Sequence, residues 1–217
     1  GYPGTLHMHV TYRFTEDSEL FIEYEASTDH DTVCNPTSHV YFNLAGHTLN
    51  CITDHEMSIA SSSIAERDEE AVFTGVFASV ENRKEDFRVC KKIGNEHGVL
   101  EIESACFVLD ENGPFHRACM VREPRGGRQL EVSTSSSALL FYGGKYIRGS
   151  EPGKDGVVYA SHGGFCLETM DVCNANEQSG CLILHAGDRY RQKTRFAFSV
   201  MDASNRNGRS CHDRNSN

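Results

Sequence analysis

The pattern of apolar and polar residues is predominantly that of short β-strands, and two runs alternate with a period of two. These are residues 5–14 (TLHMHVTYRF) and 19–26 (ELFIEYEA), joined by the polar turn Thr15-Glu16-Asp17-Ser18. That pattern predicts a β-hairpin. Residues 39–44 and 54–60 (DHEMSIA) read as further short strands, and the acidic stretch 61–71 between them and the next run reads as irregular. Strands are then predicted at 104–109, 116–122, 128–134, 138–142, 164–169, 181–184 and 194–200, separated by Gly, Pro or charged turns. No window sustains helical periodicity, which argues against parallel βαβ architecture and helix bundles. Short strands spaced about ten residues apart point to an all-β, antiparallel sandwich or barrel. Residues 202–217 are polar and lack apolar periodicity, the composition of a disordered tail.

Composition narrows the class. The 217 residues are 38% hydrophobic and the mean hydropathy is −0.47, values of a soluble globular chain. No apolar run approaches the length of a membrane span, so no membrane partner is expected. A formal net charge of −10 with scattered basic residues excludes a nucleic-acid backbone binder. The nine cysteines are odd in number and irregular in spacing, with no C-x-x-C pair, which removes the usual zinc and redox signatures. They read as reduced thiols, hence a cytoplasmic location, with Cys106 and Cys166 as small core residues. Among the histidines, His7 and His9 share one strand face without evident partner ligands, so no metal is expected.

Two ionisable residues stand out. His39 lies in Asn35-Pro36-Thr37-Ser38-His39-Val40-Tyr41-Phe42-Asn43-Leu44-Ala45-Gly46, and imidazole is suited to proton transfer near neutral pH. Glu168 ends the apolar run Gly164-Phe165-Cys166-Leu167-Glu168. Either residue alone is equally compatible with a histidine that fills space and a solvated strand-end carboxylate. Converging on one pocket, they would form an acid–base pair with separated pKa values. The Tyr41-Phe42 and Phe141-Tyr142 pairs suit either core packing or stacking on a sugar face. The glycine-rich stretches at 143–145 and 149–154 match neither a P-loop nor a dinucleotide fingerprint, and no G-x-S-x-G elbow occurs.

The segment 35–46 closely resembles the N-x-T-x-H-x-Y-F-N-L-x-G motif of the aldose 1-epimerases, the galactose mutarotases. The resemblance continues in order through Asp54-His55-Glu56, Phe73-Thr74-Gly75, Asp86-Phe87-Arg88, Gly127 to Val132, Phe141-Tyr142, Gly149 to Tyr159 and the Gly-Phe-Cys-Leu-Glu-Thr segment at 164–169. It implies a large antiparallel β-sandwich that interconverts the α and β anomers of galactose, glucose and related aldoses without a metal or organic cofactor. By motif match, His39 corresponds to the general acid and Glu168 to the general base. Asn43 lies in the same motif and is a candidate for substrate binding.

The departures from the family pattern are specific. Relatives carry a sugar-binding aspartate where this chain has Ser104, with Glu103 beside it as a shifted substitute. They carry a glutamine where this chain has Leu140, which cannot hydrogen-bond a hydroxyl. The match begins partway through the family pattern, so residues 1–201 are expected to form the C-terminal part of one aldose 1-epimerase domain. Three outcomes are compatible with these features: a mutarotase acting on a small aldose, a non-catalytic sugar-binding or regulatory relative, and an inactive fragment with exposed sheet edges.

Overall fold

The computed structural model describes residues 1–111, 113–173 and 182–201. Strands β1 (Leu6–Phe14) and β2 (Glu19–Thr28) form the expected hairpin, pairing from Leu6↔Thr28 to Phe14↔Leu20. Thr15 closes the turn by donating its N–H to the Glu19 carbonyl at 2.9 Å. The strands that follow are β3 (Thr32–Val33), β4 (Tyr41–Phe42), β5 (Glu56–Ile59), β6 (Ser63–Arg67), β7 (Phe73–Ser79), β8 (Lys91–Lys92) and β9 (Ser104–Val108). The series ends with β10 (His116–Arg122), β11 (Arg128–Thr134), β12 (Ala138–Tyr142), β13 (Phe165–Met170), β14 (Ile183–Leu184) and β15 (Arg189–Val200). Among the described residues there is no α-helix, and none that is long and apolar enough to cross a membrane.

Two antiparallel sheets dominate. One has seven strands in the order β1-β2-β15-β11-β10-β5-β8, and the other six in the order β4-β13-β12-β9-β6-β7. A small β14-β3 ladder completes the set. One core joins the large sheets. Ile22, Met57, Val121, Leu130, Val132 and Phe196 supply it from the seven-stranded side, and Phe107, Leu139, Phe141, Phe165 and Leu167 from the six-stranded side, all essentially inaccessible to solvent. Burying each such side chain contributes about 1.5–3 kcal/mol, which the period-two alternation concentrates on one face per strand. On the outward face of β2 and β15 charges pair across the ladder instead, as Lys193–Glu23 (3.0 Å), Arg191–Glu25 (3.1 Å) and Arg195–Glu19 (3.2 Å).

Several expectations need correction. The stretch 61–71 is not irregular: it contains β6, which pairs with β7 around a turn in which Asp68 Oδ1 accepts the Glu70 and Val72 N–H groups. The strand was hidden because this hairpin ends the sheet and β7 has no fully buried residue to mark its alternation. The last strand starts at Arg189 rather than 194, since its first half presents charged residues to the glutamates of β2. Residues 39–44 contribute only a two-residue strand. The reduced-thiol reading holds for Cys34, Cys51, Cys106, Cys119 and Cys166 but fails for Cys90 and Cys173, which are disulfide-bonded. Spacing along the chain could not reveal this, because disulfides join positions by their approach in space. The expected disordered tail, 202–217, lies outside the described residues.

Strand β1 is solvent-exposed along its whole length, with Leu6, Met8, Val10, Tyr12 and Phe14 all uncovered on the sheet edge. After β12, a glycine sets the spacing of two loops. Gly144 has φ +73°, and a Cβ there would lie 2.2 Å from the Gly164 carbonyl oxygen. This close approach fixes the end of β12 against the start of β13. Gly144→Ala is therefore expected to destabilise the fold by about 1–3 kcal/mol through backbone strain and steric overlap. Chemical denaturation measures the loss, and an unchanged midpoint would contradict the stated constraint.

Candidate functional site

The outer face of the six-stranded sheet carries the site. On β13 the alternation sends Phe165, Leu167 and Thr169 into the core and Cys166, Glu168 and Met170 to the other face. Two rows then cross the strands in register. One runs Tyr41–Cys166–Tyr142–Ser104, and the next runs Glu168–Leu140–Cys106–Ala65.

His39 reaches this face from the segment just before β4. Asn35 anchors one end of that segment: its Nδ2 donates to the Asp171 carbonyl at 3.0 Å, and its Oδ1 accepts the Asp171 N–H at 3.0 Å. Asn43 anchors the other end by donating Nδ2 to the Leu49, Cys51 and Gly163 carbonyls, while its Oδ1 accepts the Ala45 N–H. The buried His55 secures the following residue, taking the Leu44 N–H on Nε2 at 3.0 Å and placing Nδ1 3.0 Å from the Ile52 carbonyl. Burial pushes His55 below the usual imidazole range, so it stays neutral and can serve in both roles.

Between these anchors, His39 Nε2 lies 3.6 Å from Glu168 Oε1, and Nδ1 lies 3.2 Å from Cys166 Sγ. The rings of Tyr41 and Tyr142 flank the imidazole at centroid distances of 5.1 and 5.8 Å. The two aromatic pairs thus split between the faces: Tyr41 and Tyr142 border His39, whereas Phe42 and Phe141 pack with Phe165 in the core. The environments of His39 and Glu168 are unequal. The imidazole is half exposed, and the carboxylate is 9% exposed. Burial raises Glu168 above the usual carboxylate range, opposed by the nearby charges of His39 and Arg67. Cys166 is pushed up to about 12, chiefly by burial, so it is a neutral thiol at physiological pH.

The other expected site residues are placed differently. Ser104 sits on the same face, where its Oγ accepts a hydrogen bond from Arg67 Nη2 at 3.1 Å. Leu140 lies beside Glu168 in the register, an apolar patch next to the carboxylate. Glu103 is held by His162 at 3.1 Å. Asn43 has its carboxamide occupied by backbone groups, which gives it a part in shaping the loop. A cavity of about 710 Å³ opens near this loop, bordered by Phe42, Leu44, Ile147, Tyr159 and Phe198, but His39 and Glu168 do not line it. Arg67 and Cys166 were not singled out as site residues, Arg67 because it falls in the stretch that read as irregular. The His39, Cys166 and Glu168 ligand atoms lie within 4.8 Å of one another and could hold a cation. A cation would have to displace the proton of a thiol that burial keeps protonated.

Comparison with known proteins bears on the family and the fold. The profile of the aldose 1-epimerase family matches residues 1–197. A galactose mutarotase from Rattus norvegicus is 37% identical over 204 residues, covering 92% of this chain and 59% of that protein. An aldose 1-epimerase from Haemophilus influenzae is 33% identical, covering 91% of this chain and 61% of that protein. The chain thus spans about three-fifths of the length of these relatives. Among solved structures, an aldose epimerase homologue from C. elegans superposes with a TM-score of 0.80 at 23% identity, covering 93% of this chain and 62% of that one. At that identity the superposition speaks for the sandwich fold alone.

The buried carboxylate carries a stability consequence. Its folded-state pKa is raised, so its contribution to stability is present below the unfolded pKa and is lost as pH rises through the folded value. Glu168→Gln is therefore expected to raise the melting temperature at pH 7.5, by about 2–4 °C for each kcal/mol relieved. The gain should vanish near pH 4, where the wild-type carboxyl is protonated. Calorimetric melting at the two pH values checks this, and a lower melting temperature for the variant at pH 7.5 would count against the assigned burial cost.

Proposed function

The chain belongs to the aldose 1-epimerase family, and from that premise we propose that it supplies the acid–base pair of an anomer-interconverting isomerase acting on a free aldose. The observation that carries the proposal is the 3.6 Å approach of His39 to a buried Glu168 on one sheet face. Family membership and the names of the relatives support the reaction class. In this reading the Glu168 carboxylate takes the proton from the anomeric hydroxyl while the His39 imidazolium gives a proton to the ring oxygen. The C1–O5 bond breaks, its electron pair passes to O5, and a C1 aldehyde forms. Rotation about C1–C2 turns the other carbonyl face toward the O5 hydroxyl. Reclosure returns one proton to His39 and the other from Glu168 to O1, so no net proton is consumed.

The environments suit the two roles. Burial strengthens Glu168 as a base by raising its pKa toward the operating pH, and the exposed imidazole can exchange its proton with solvent. Tyr41 and Tyr142 offer ring faces for the sugar's C–H surface. Disulfides such as those engaging Cys90 and Cys173 persist mainly in oxidising compartments, which weighs against the cytoplasmic location expected from the thiols.

Polarimetry on freshly dissolved α-D-galactose and α-D-glucose tests the reaction. His39→Ala and Glu168→Gln are each expected to lower the enzymatic rate by about 10²–10⁴-fold. Unchanged rates in both variants would refute the assignment. Sugar binding by calorimetry without any anomer exchange would favour the non-catalytic relative instead. The acid limb of kcat/KM is expected above the ordinary glutamate pKa of about 4.3, since the base must be ionised and burial raises its pKa. A limb at or below that value would remove Glu168 from the role.

A further inference from the structure

A guanidinium lies on the same face as the acid–base pair with no carboxylate, among the described residues, close enough to neutralise it. Arg67 ends β6 and reaches toward β9, donating Nη2 to Ser104 Oγ at 3.1 Å, with its cation 5.2 Å from the centre of the Phe73 ring. Among the described residues no carboxylate comes within 4 Å of it. The adjacent Glu66 is turned to Arg83 at 3.6 Å. A guanidinium has five N–H donors in a planar fork suited to bidentate contact with carboxylate or phosphate oxygens, and one bond to a serine hydroxyl leaves most of them unused.

The surroundings have the form of a binding recess. Arg67, Ser104 and Cys106 line a hollow of about 370 Å³, together with Ile64, Ala65 and Arg83. That volume is within the range of small-molecule sites. Glu66 and Glu85 also line it, and neither is within ion-pair distance of Arg67. One row of the sheet links the hollow to the candidate site: Cys106, which lines the hollow, pairs with Leu140, and Leu140 pairs with Glu168. Ser104 is separated from Cys166 by the single strand β12, a distance of two strand spacings, or about 10 Å. A pyranose with its anomeric centre at Glu168 would project the substituent on its far end toward Arg67. Between them stands Leu140, which offers a hydroxyl no hydrogen bond, so the polar anchor for the sugar on this side is the cation. The electrostatic reach of Arg67 extends to the carboxylate itself, since its charge lowers the Glu168 pKa against burial.

We propose that Arg67, positioned by Ser104 and Phe73, is a specificity-determining residue that selects an aldose bearing an anionic substituent, carboxylate or phosphate, over the neutral sugar. The proposal rests on the His39–Glu168 reading for the position of the anomeric centre. A neutral hydroxyl meeting Arg67 can accept a hydrogen bond, but it leaves the cation uncompensated. A carboxylate or phosphate accepts two charge-assisted bonds and neutralises it.

The test compares D-galactose, D-galacturonate and D-galactose 6-phosphate by magnetisation-exchange NMR of the anomeric protons, with affinities for the same three compounds from calorimetry. The proteins are the wild type, Arg67→Gln, Arg67→Lys and His39→Ala. The wild type is expected to favour at least one anionic sugar over galactose by about 10–100-fold in kcat/KM and in affinity. Arg67→Gln should bring both ratios close to one, and Arg67→Lys should restore part of the preference by keeping the charge without the fork. A larger ratio for galacturonate identifies a uronate, and a larger ratio for the 6-phosphate identifies a phosphosugar. Exchange that depends on His39 but shows no anionic preference overturns the Arg67 proposal and leaves the acid–base reading standing. Absence of His39-dependent exchange overturns the acid–base reading, and the affinity ratios then decide the role of Arg67: no anionic preference, or a preference that survives Arg67→Gln, refutes it.

Discussion

Glu168 is a carboxylate held in the wall of a sheet by the same alternation that builds the core. Phe165, Leu167 and Thr169 turn inward, and that leaves Cys166, Glu168 and Met170 no option but the opposite face. The cost of keeping a carboxyl there is offset by apolar packing on the strand's other side, where Phe165 and Leu167 are fully buried. Its ion-pair partner among the described residues is His39, at 3.6 Å. The position of that imidazole therefore decides whether the buried charge is tolerated and what it can do.

The scaffold around His39 makes sense in these terms. Asn35 grips the backbone of Asp171 at the end of β13, the strand that carries Glu168. Asn43 and His55 hold the chain on the far side of the histidine through backbone groups. His39 is thus tied to the strand that carries Glu168 at one end and to the surrounding loops at the other. Ties of this kind lower the entropy cost of bringing two groups to one substrate, which is where much catalytic advantage arises. The asparagines of the motif act as clamps on either side of His39.

Much of this was legible in the sequence, for a physical reason. Strands that pack against the core, such as β10, β11 and β12, are apolar runs bounded by turn residues, and their boundaries agree with the pattern at 116–122, 128–134 and 138–142. The hairpin β6–β7 was not legible, because no solvent-facing residue of β7 is contrasted with a buried one. That omission mattered for the site, since Arg67 lies in it. The meeting of His39 and Glu168 could be named only through the order of motifs: they are distant in the chain, and the register of β4, which follows His39, with β13, which carries Glu168, is not written in either strand alone. Glu103 and Asn43 carry suitable groups, but only the fold reveals that His162 and backbone carbonyls already engage them.

The central claim is that burial, moderated by the charge of His39, sets the basicity of Glu168. The most direct measurement is an NMR titration of the Glu168 side-chain carboxyl carbon, assigned by its loss in Glu168→Gln, in the wild type and in His39→Ala. The account predicts a midpoint above the ordinary glutamate value of about 4.3 in the wild type and a further rise when the imidazole is removed. A midpoint at or below that value, unmoved by His39→Ala, would contradict it.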